Sequence, residues 1–228
     1  HDKAIDAFIE VVKLDPETIE LHHALGNLFR RRGEFDRAVR MHTHLLNRAD
    51  LPARERSLAL AELGQDYLKG GLLDRAEDAF TRLLDDRNHR FDALRALLRI
   101  FQMEREWSKA IDCARRLERE AGENHQTGIA HFHCEVAEAA AAAGRLDDAQ
   151  TAVDEALVTD RKSVRALIIA GDLAARRGAP EEALRLWQRV EGASREHLPL
   201  IATKVAGTLD QLGRRAEAVN WLRRSLLD

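Results

Sequence analysis

Alanine returns at nearly equal intervals along this chain, at Ala4, Ala38, Ala76, Ala110, Ala149, Ala183 and Ala218. The separations are 34, 38, 34, 39, 34 and 35 residues. A fixed period of this length marks a unit too small to bury its own apolar face, so the units must stack. The stretch Leu21 to Leu46 shows one unit in full. Leu25, Leu28 and Phe29 share one helical face, and Gly33 ends that helix in the left-handed conformation a C-terminus favours. Phe35, Ala38, Val39, His42, Leu45 and Leu46 then fall at helical spacing in a second helix. Gly26 and Ala38 are expected to be small because two helix backbones approach closely there.

The same register repeats elsewhere. The turns carry Gly33, Gly71, Gly144, Gly178 and Gly213. The first helices carry Leu25-Gly26, Leu63-Gly64, Leu97-Leu98, Val136-Ala137, Ala170-Gly171 and Val205-Ala206. A base period of 34 with this pattern resembles the tetratricopeptide repeat. The pattern predicts an all-α protein, a lone second helix over 2–14 followed by six pairs. These are 17–31 with 34–48, 53–69 with 73–85, 90–103 with 106–120, 127–142 with 146–158, 162–176 with 180–191, and 195–211 with 215–227. The resemblance implies a single right-handed superhelical α-solenoid over residues 1–228, with first helices lining a concave face. The surplus before Ser57 and before Ala130 is expected in longer first helices or loops. Pro16 and Pro52 fit helix starts, where a missing N–H costs nothing. The polar, glycine-marked run 121–128 reads as a joint between repeats.

Charge and cysteine usage narrow the function. Thirty-six basic residues against 39 acidic ones, a formal charge of −3, leave no strongly basic block. A dedicated nucleic-acid binder would show a basic stripe. Two cysteines, Cys113 and Cys134, are too few for a disulfide framework and read as buried thiols. No apolar run approaches the ~18 residues of a membrane span. The chain opens inside a helix, so a preceding segment is expected.

On the solenoid geometry, the groove-facing residues of the first three pairs include His23, Asn27, Arg30, Arg31, Gln65, Lys69, Arg95, Arg99 and Gln102, with Ala61 and Leu68 beside them. Cys134, Glu138, Ile168 and Asp172 follow further along. The basic and amide-bearing side chains suit an acidic or extended peptide, through charge-assisted hydrogen bonds. The lysine and asparagine clamp used by chaperone-binding repeats is not reproduced, since Asn27 is followed by Gln65 and Arg99. The run His131-Phe132-His133-Cys134 offers at most two metal ligands on one face, short of a closed site. No phosphate loop, paired-cysteine motif or nucleophile elbow occurs. The chain therefore reads as a non-enzymatic interaction module with no cofactor of its own.

The runs LHHALGNLFRRRGEFDRAVRMH, LGQDYLKGGLLDRAEDAFTRLL, EWSKAIDCARRLE and IAHFHCEVA resemble the lipopolysaccharide assembly protein B family of Gram-negative bacteria, over roughly residues 1–160. The resemblance implies a repeat domain at the cytoplasmic face of the inner membrane. In that family it lies between a membrane anchor and a C-terminal rubredoxin-like metal domain, neither of which this chain contains. It implies an adaptor that links the protease FtsH to turnover of the deacetylase LpxC and so regulates lipopolysaccharide synthesis. The alternative is a general peptide-binding module of chaperone or secretion type.

Overall fold

The computed structural model describes residues 18–227. The expected helix over 2–14 and the start at Pro16 lie outside them. Among the described residues there are twelve α-helices and no strand. They are α1 (Ile19–Arg31), α2 (Phe35–Leu46), α3 (Ala53–Lys69), α4 (Leu73–Arg82), α5 (Arg90–Glu104) and α6 (Trp107–Ala121). Then come α7 (Gln126–Ala142), α8 (Leu146–Thr159), α9 (Val164–Arg176), α10 (Pro180–Ala193), α11 (Leu198–Gln211) and α12 (Arg215–Leu227). A single 3₁₀ turn, Arg195–His197, leads into α11. The expected surplus lies in longer first helices, because α3 and α7 each run to 17 residues. Pro180 opens α10 at its first turn, whereas Pro52 sits one residue before α3 in an extended conformation.

The helices pair as hairpins, and the hairpins stack as an α-solenoid within two compact units, 1–122 and 123–228. In the first unit α3 packs on α2 and on α1, and α5 packs on α4. In the second, α9 packs on α8 and α7, and α11 on α10. The period-setting alanines lie in these interfaces. Ala38, Ala76, Ala110, Ala149 and Ala183 are fully buried and Ala218 nearly so.

Every hairpin turn closes with one backbone bond, from the residue after the left-handed position to the carbonyl five residues earlier. The bonds run Glu34 N–H to Phe29 at 2.9 Å, Leu72 to Tyr67 at 2.8 Å and Glu106 to Phe101 at 2.8 Å. In the second unit they run Arg145 to Ala140 at 2.9 Å, Ala179 to Ala174 at 3.0 Å and Arg214 to Leu209 at 2.8 Å. This 6→1 bond satisfies a carbonyl that the helix end would orphan. Five turns place glycine at the left-handed residue; the third places Arg105 there, at φ 59°. A Cβ in that region is crowded against the next carbonyl at a cost of about 1–2 kcal/mol. Arg105→Gly is therefore expected to stabilise the first unit by about 1 kcal/mol, less the extra freedom glycine gives the unfolded chain. A urea midpoint that fails to rise would show the turn is unstrained.

The first-helix glycines are small for a different reason than the sequence suggests. They do not make room for a backbone. A Cβ on Gly26 would stand 2.3 Å from His42 Cε1, on Gly64 2.9 Å from Phe80 Cζ, and on Gly171 2.2 Å from Trp187 Nε1. Each glycine receives the large ring 16 residues later. In the third pair the bulk is exchanged, with Leu98 on the first helix and Ala114 on the second, both buried.

Candidate functional site

Two clefts, one in each unit, are built on the first helices. The first lies between α3 and α5, has a volume of about 390 Å³, and brings together Gln65, Arg95 and Arg99 with Ala61, Leu68 and Glu62. Gln65 and Ala61 come from successive turns of α3, and Arg95 and Arg99 from successive turns of α5. Arg95 Nη1 donates to Asp92 at 2.6 Å, while Arg99 is exposed and makes no ion pair among the described residues. Gln102, Arg31 and Lys69 are exposed on their helices and do not line this cleft.

Arg30 and Asn27 are engaged within the chain. Arg30 Nη2 donates to Asn27 Oδ1 and to Glu62 Oε2, each at 2.6 Å. Its Nη1 donates to Asp66 Oδ1 at 2.9 Å and to the Glu62 carbonyl at 3.1 Å. Asp66, fully buried, also accepts from His42 Nδ1 at 2.6 Å, and His42 is equally buried. This buried cluster ties α1, α2 and α3 together and was not visible in the sequence, where His42 only fills a core register. The signal for it is that His42 stands where other repeats carry Phe80, Val153 and Trp187.

His23 lies beside this cluster, its ring 5.6 Å from that of His42. Neither of its ring nitrogens has a hydrogen-bond partner, and Nε2 is 3.8 Å from Glu55 Oε2. Burial first, then the neighbouring His42, holds its pKa below the ordinary 6.5, against the pull of Glu62 and Glu55. The folded state thus favours neutral His23. Its contribution is complete above pH 6.5 and is lost as the pH falls below that value. Thermal melts should show the wild type losing stability between pH 7.5 and 5.5, and His23→Gln losing less. Equal losses would remove His23 as the cause.

The second cleft lies between α7, α9 and the start of α11, with a volume of about 400 Å³. Glu138, Ile168 and Asp172, which the sequence places toward a groove, do line it. Cys134 does not: it is fully buried among Ala137, Val153 and Ala166. Its neighbour His131 is exposed and accepts from Arg165 Nη1 at 3.0 Å through Nδ1. Among the described residues no group of three or more potential ligands could hold a metal ion. Burial pushes both thiols, Cys113 and Cys134, up to about 11, so each stays protonated and unreactive near neutrality.

Tetratricopeptide-repeat models match residues 21–57, 61–125 and 136–196. The chain belongs to the tetratricopeptide-repeat family. Among curated relatives of this repeat protein, Lipopolysaccharide assembly protein B of Escherichia coli strain K12 is 40% identical over 226 residues, 99% of this chain and 58% of that protein. The protein of the same name from Haemophilus influenzae is 30% identical over 197 residues, 83% of this chain and 50% of that one. The likeness thus extends well past residue 160, and the chain spans about half the length of the curated relatives it matches. Among solved structures, a crystal structure of MamA aligns with a TM-score of 0.49 and 21% identity, covering 80% of this chain and 94% of that one. YrrB, described as a TPR protein with an unusual peptide-binding site, aligns at 0.49 and 20%, covering 88% and 99%.

Proposed function

We propose that this chain is a protein-binding scaffold that regulates lipopolysaccharide synthesis, acting as an adaptor between the protease FtsH and its substrate LpxC. The observation that carries the reading is the 40% identity to Lipopolysaccharide assembly protein B, held across 99% of the chain. The fold agrees with it, because stacked hairpins offer extended surfaces and open clefts. The adaptor works by position. Holding substrate beside protease raises effective concentration without a chemical step, a catalytic residue or a cofactor. Its place is the cytoplasmic face of the inner membrane. No helix among the described residues is long and apolar enough to cross a membrane.

The cleft of the first unit is the contact proposed for a polypeptide partner. Arg95 and Arg99 stand one turn apart at its wall; both are exposed, Arg99 makes no ion pair among the described residues, and Arg95 holds Asp92. His23, Asn27, Arg30 and Arg31 precede them on α1, outside the lining of this cleft, and Arg30 there donates to Asn27. Arg95→Glu combined with Arg99→Glu should lower LpxC capture about tenfold in a pull-down with purified components, because two attractive charges become repulsive. Helicity by circular dichroism should not change. Undiminished capture would move the contact off this cleft. If neither FtsH nor LpxC binds the wild-type chain, the adaptor reading fails.

A further inference from the structure

Four histidines meet where α1 crosses α2. His22 stacks on His44 with ring centroids 5.0 Å apart and planes 15° from parallel, and the ring of His23 lies 5.6 Å from that of His42. Each pair takes one ring from each helix, so both contacts close the same hairpin. Imidazole is the side chain whose ordinary pKa falls inside the physiological range. Uncharged rings pack as aromatics, whereas two imidazolium rings at these distances repel each other.

The inner pair, His23 with His42, tolerates a second proton least. His42 is fully buried; its Nδ1 donates to Asp66 Oδ2 at 2.6 Å and its Nε2 has no partner. The backbone of α1 closes over that nitrogen, for a Cβ on Gly26 would stand 2.5 Å from it. Both ring nitrogens of His23 are likewise buried and without a hydrogen-bond partner. An imidazolium carries two N–H donors, so a charged His23 buries donors that nothing accepts. Among the described residues, the charged and titratable groups facing this pair are His22 and Arg30 from α1, His44 from α2, and Glu55, Glu62 and Asp66 from α3. Arg30 already engages Glu62 at 2.6 Å and Asp66 at 2.9 Å, and Glu55 Oε2 stays 3.8 Å from His23 Nε2. In the outer pair His22 is buried and donates through Nδ1 to the Thr18 carbonyl at 2.9 Å, while His44 is exposed.

We infer that this crossing is an acid-operated latch, in which proton uptake by the paired imidazoles opens the α1–α2 hairpin and lifts it from α3 while the later hairpins stay folded. Closed, each pair accommodates one proton. Open, all four rings stand in water and each pair takes two. Opening therefore binds up to two protons and becomes more favourable as the pH falls. The packing of the hairpin permits a local event. Its apolar contacts form two small clusters, Leu25 with Phe29 and Ala38, and Leu45 with Leu51 and Ala59. Segments with few buried apolar contacts open before the domain as a whole does. The first cleft would feel the change, because Glu62 lines it and is held by Arg30 of α1. The latch stands apart from the adaptor reading, and its test needs neither FtsH nor LpxC.

The test is native-state hydrogen exchange of the whole chain, read by mass spectrometry from about pH 7 to about pH 5, the range in which imidazole titrates. Each rate is corrected for the intrinsic pH dependence of amide exchange. Every extra proton bound on opening multiplies the opening constant by about ten per pH unit. Between about pH 6 and pH 5 the opening constant of α1 and α2 amides should therefore rise by well over tenfold, toward a hundredfold. Amides of α6 and α10, helices without histidine, should show no comparable rise in the same sample. His44→Gln changes an exposed side chain, leaves the inner pair in place, and should cut the dependence to about tenfold. His23→Gln should do the same through the inner pair, and the two together should remove most of it. A dependence of about tenfold or less in the wild type, or one that both variants leave unchanged, overturns the latch. Equal acceleration in α6 and α10 overturns it as well, since acid would then be unfolding the chain as a whole.

Discussion

Asp66→Ala is expected to cost the first unit about 3–5 kcal/mol, the usual penalty for removing one partner of a buried ionic cluster. Asp66 is fully buried and is the only carboxylate bonded to both Arg30 and His42 among the described residues. Its loss leaves the His42 ring with no partner at Nδ1, in a place where Nε2 already has none. It also leaves Arg30 held by Glu62 and Asn27 alone. The three groups come from α1, α2 and α3, so the damage falls on the stacking of one hairpin on the next. Glu62→Gln is the natural comparison. Glu62 is about a fifth exposed, so water can replace its charge, and the expected loss is about 1 kcal/mol or less. Urea unfolding of the two variants separates the cases. Equal midpoints would mean the buried carboxylate contributes nothing beyond its surface neighbour.

The second large effect belongs to Trp187. It is 3% exposed, lies over Gly171, and is tethered through Nε1 to Asp172 at 3.2 Å. Trp187→Ala should destabilise the second unit by about 3–5 kcal/mol, combining lost transfer energy with a cavity. The third pair suggests the remedy, because Leu98 and Ala114 occupy the same two register positions with the bulk reversed. Adding Gly171→Leu to Trp187→Ala should recover about 1–2 kcal/mol, a coupling of the size seen between touching residues. Gly171→Leu alone should destabilise, since even a Cβ there would lie 2.2 Å from the indole. Additive effects in the double variant would mean that the two positions do not share one volume.

How far the sequence predicts this structure depends on which signals are local. Helix boundaries lie within a few residues of expectation, because a glycine at φ near +75° ends most first helices and an alanine sits in each second one. The third hairpin has no such glycine, so nothing in the sequence marks Arg105 as its left-handed residue. The long-range polar features are harder to read. His42 and Asp66 are 24 residues apart on different helices, and periodicity places one of them in the core without naming its partner. Cys134 falls on a groove-facing register by count but turns inward, fully buried in the cluster with Ala137, Val153 and Ala166. Of the basic residues expected in the groove, Arg95 and Arg99 line a cleft while Arg30 is consumed by carboxylates of the following repeat. The ion pairs that decide this are set by packing between hairpins.

Glycine facing an aromatic or imidazole ring, as in Gly26–His42 and Gly171–Trp187, has a consequence for how such a chain can change over time. The quantity held constant at a crossing is the sum of two side chains, so neither position need look invariant when aligned alone. A substitution at one member creates either a collision or a hole, and only its counterpart can relieve it. Descendants of this sequence should therefore vary at these sites in linked couples, with glycine and ring lost together and leucine and alanine arriving in their place.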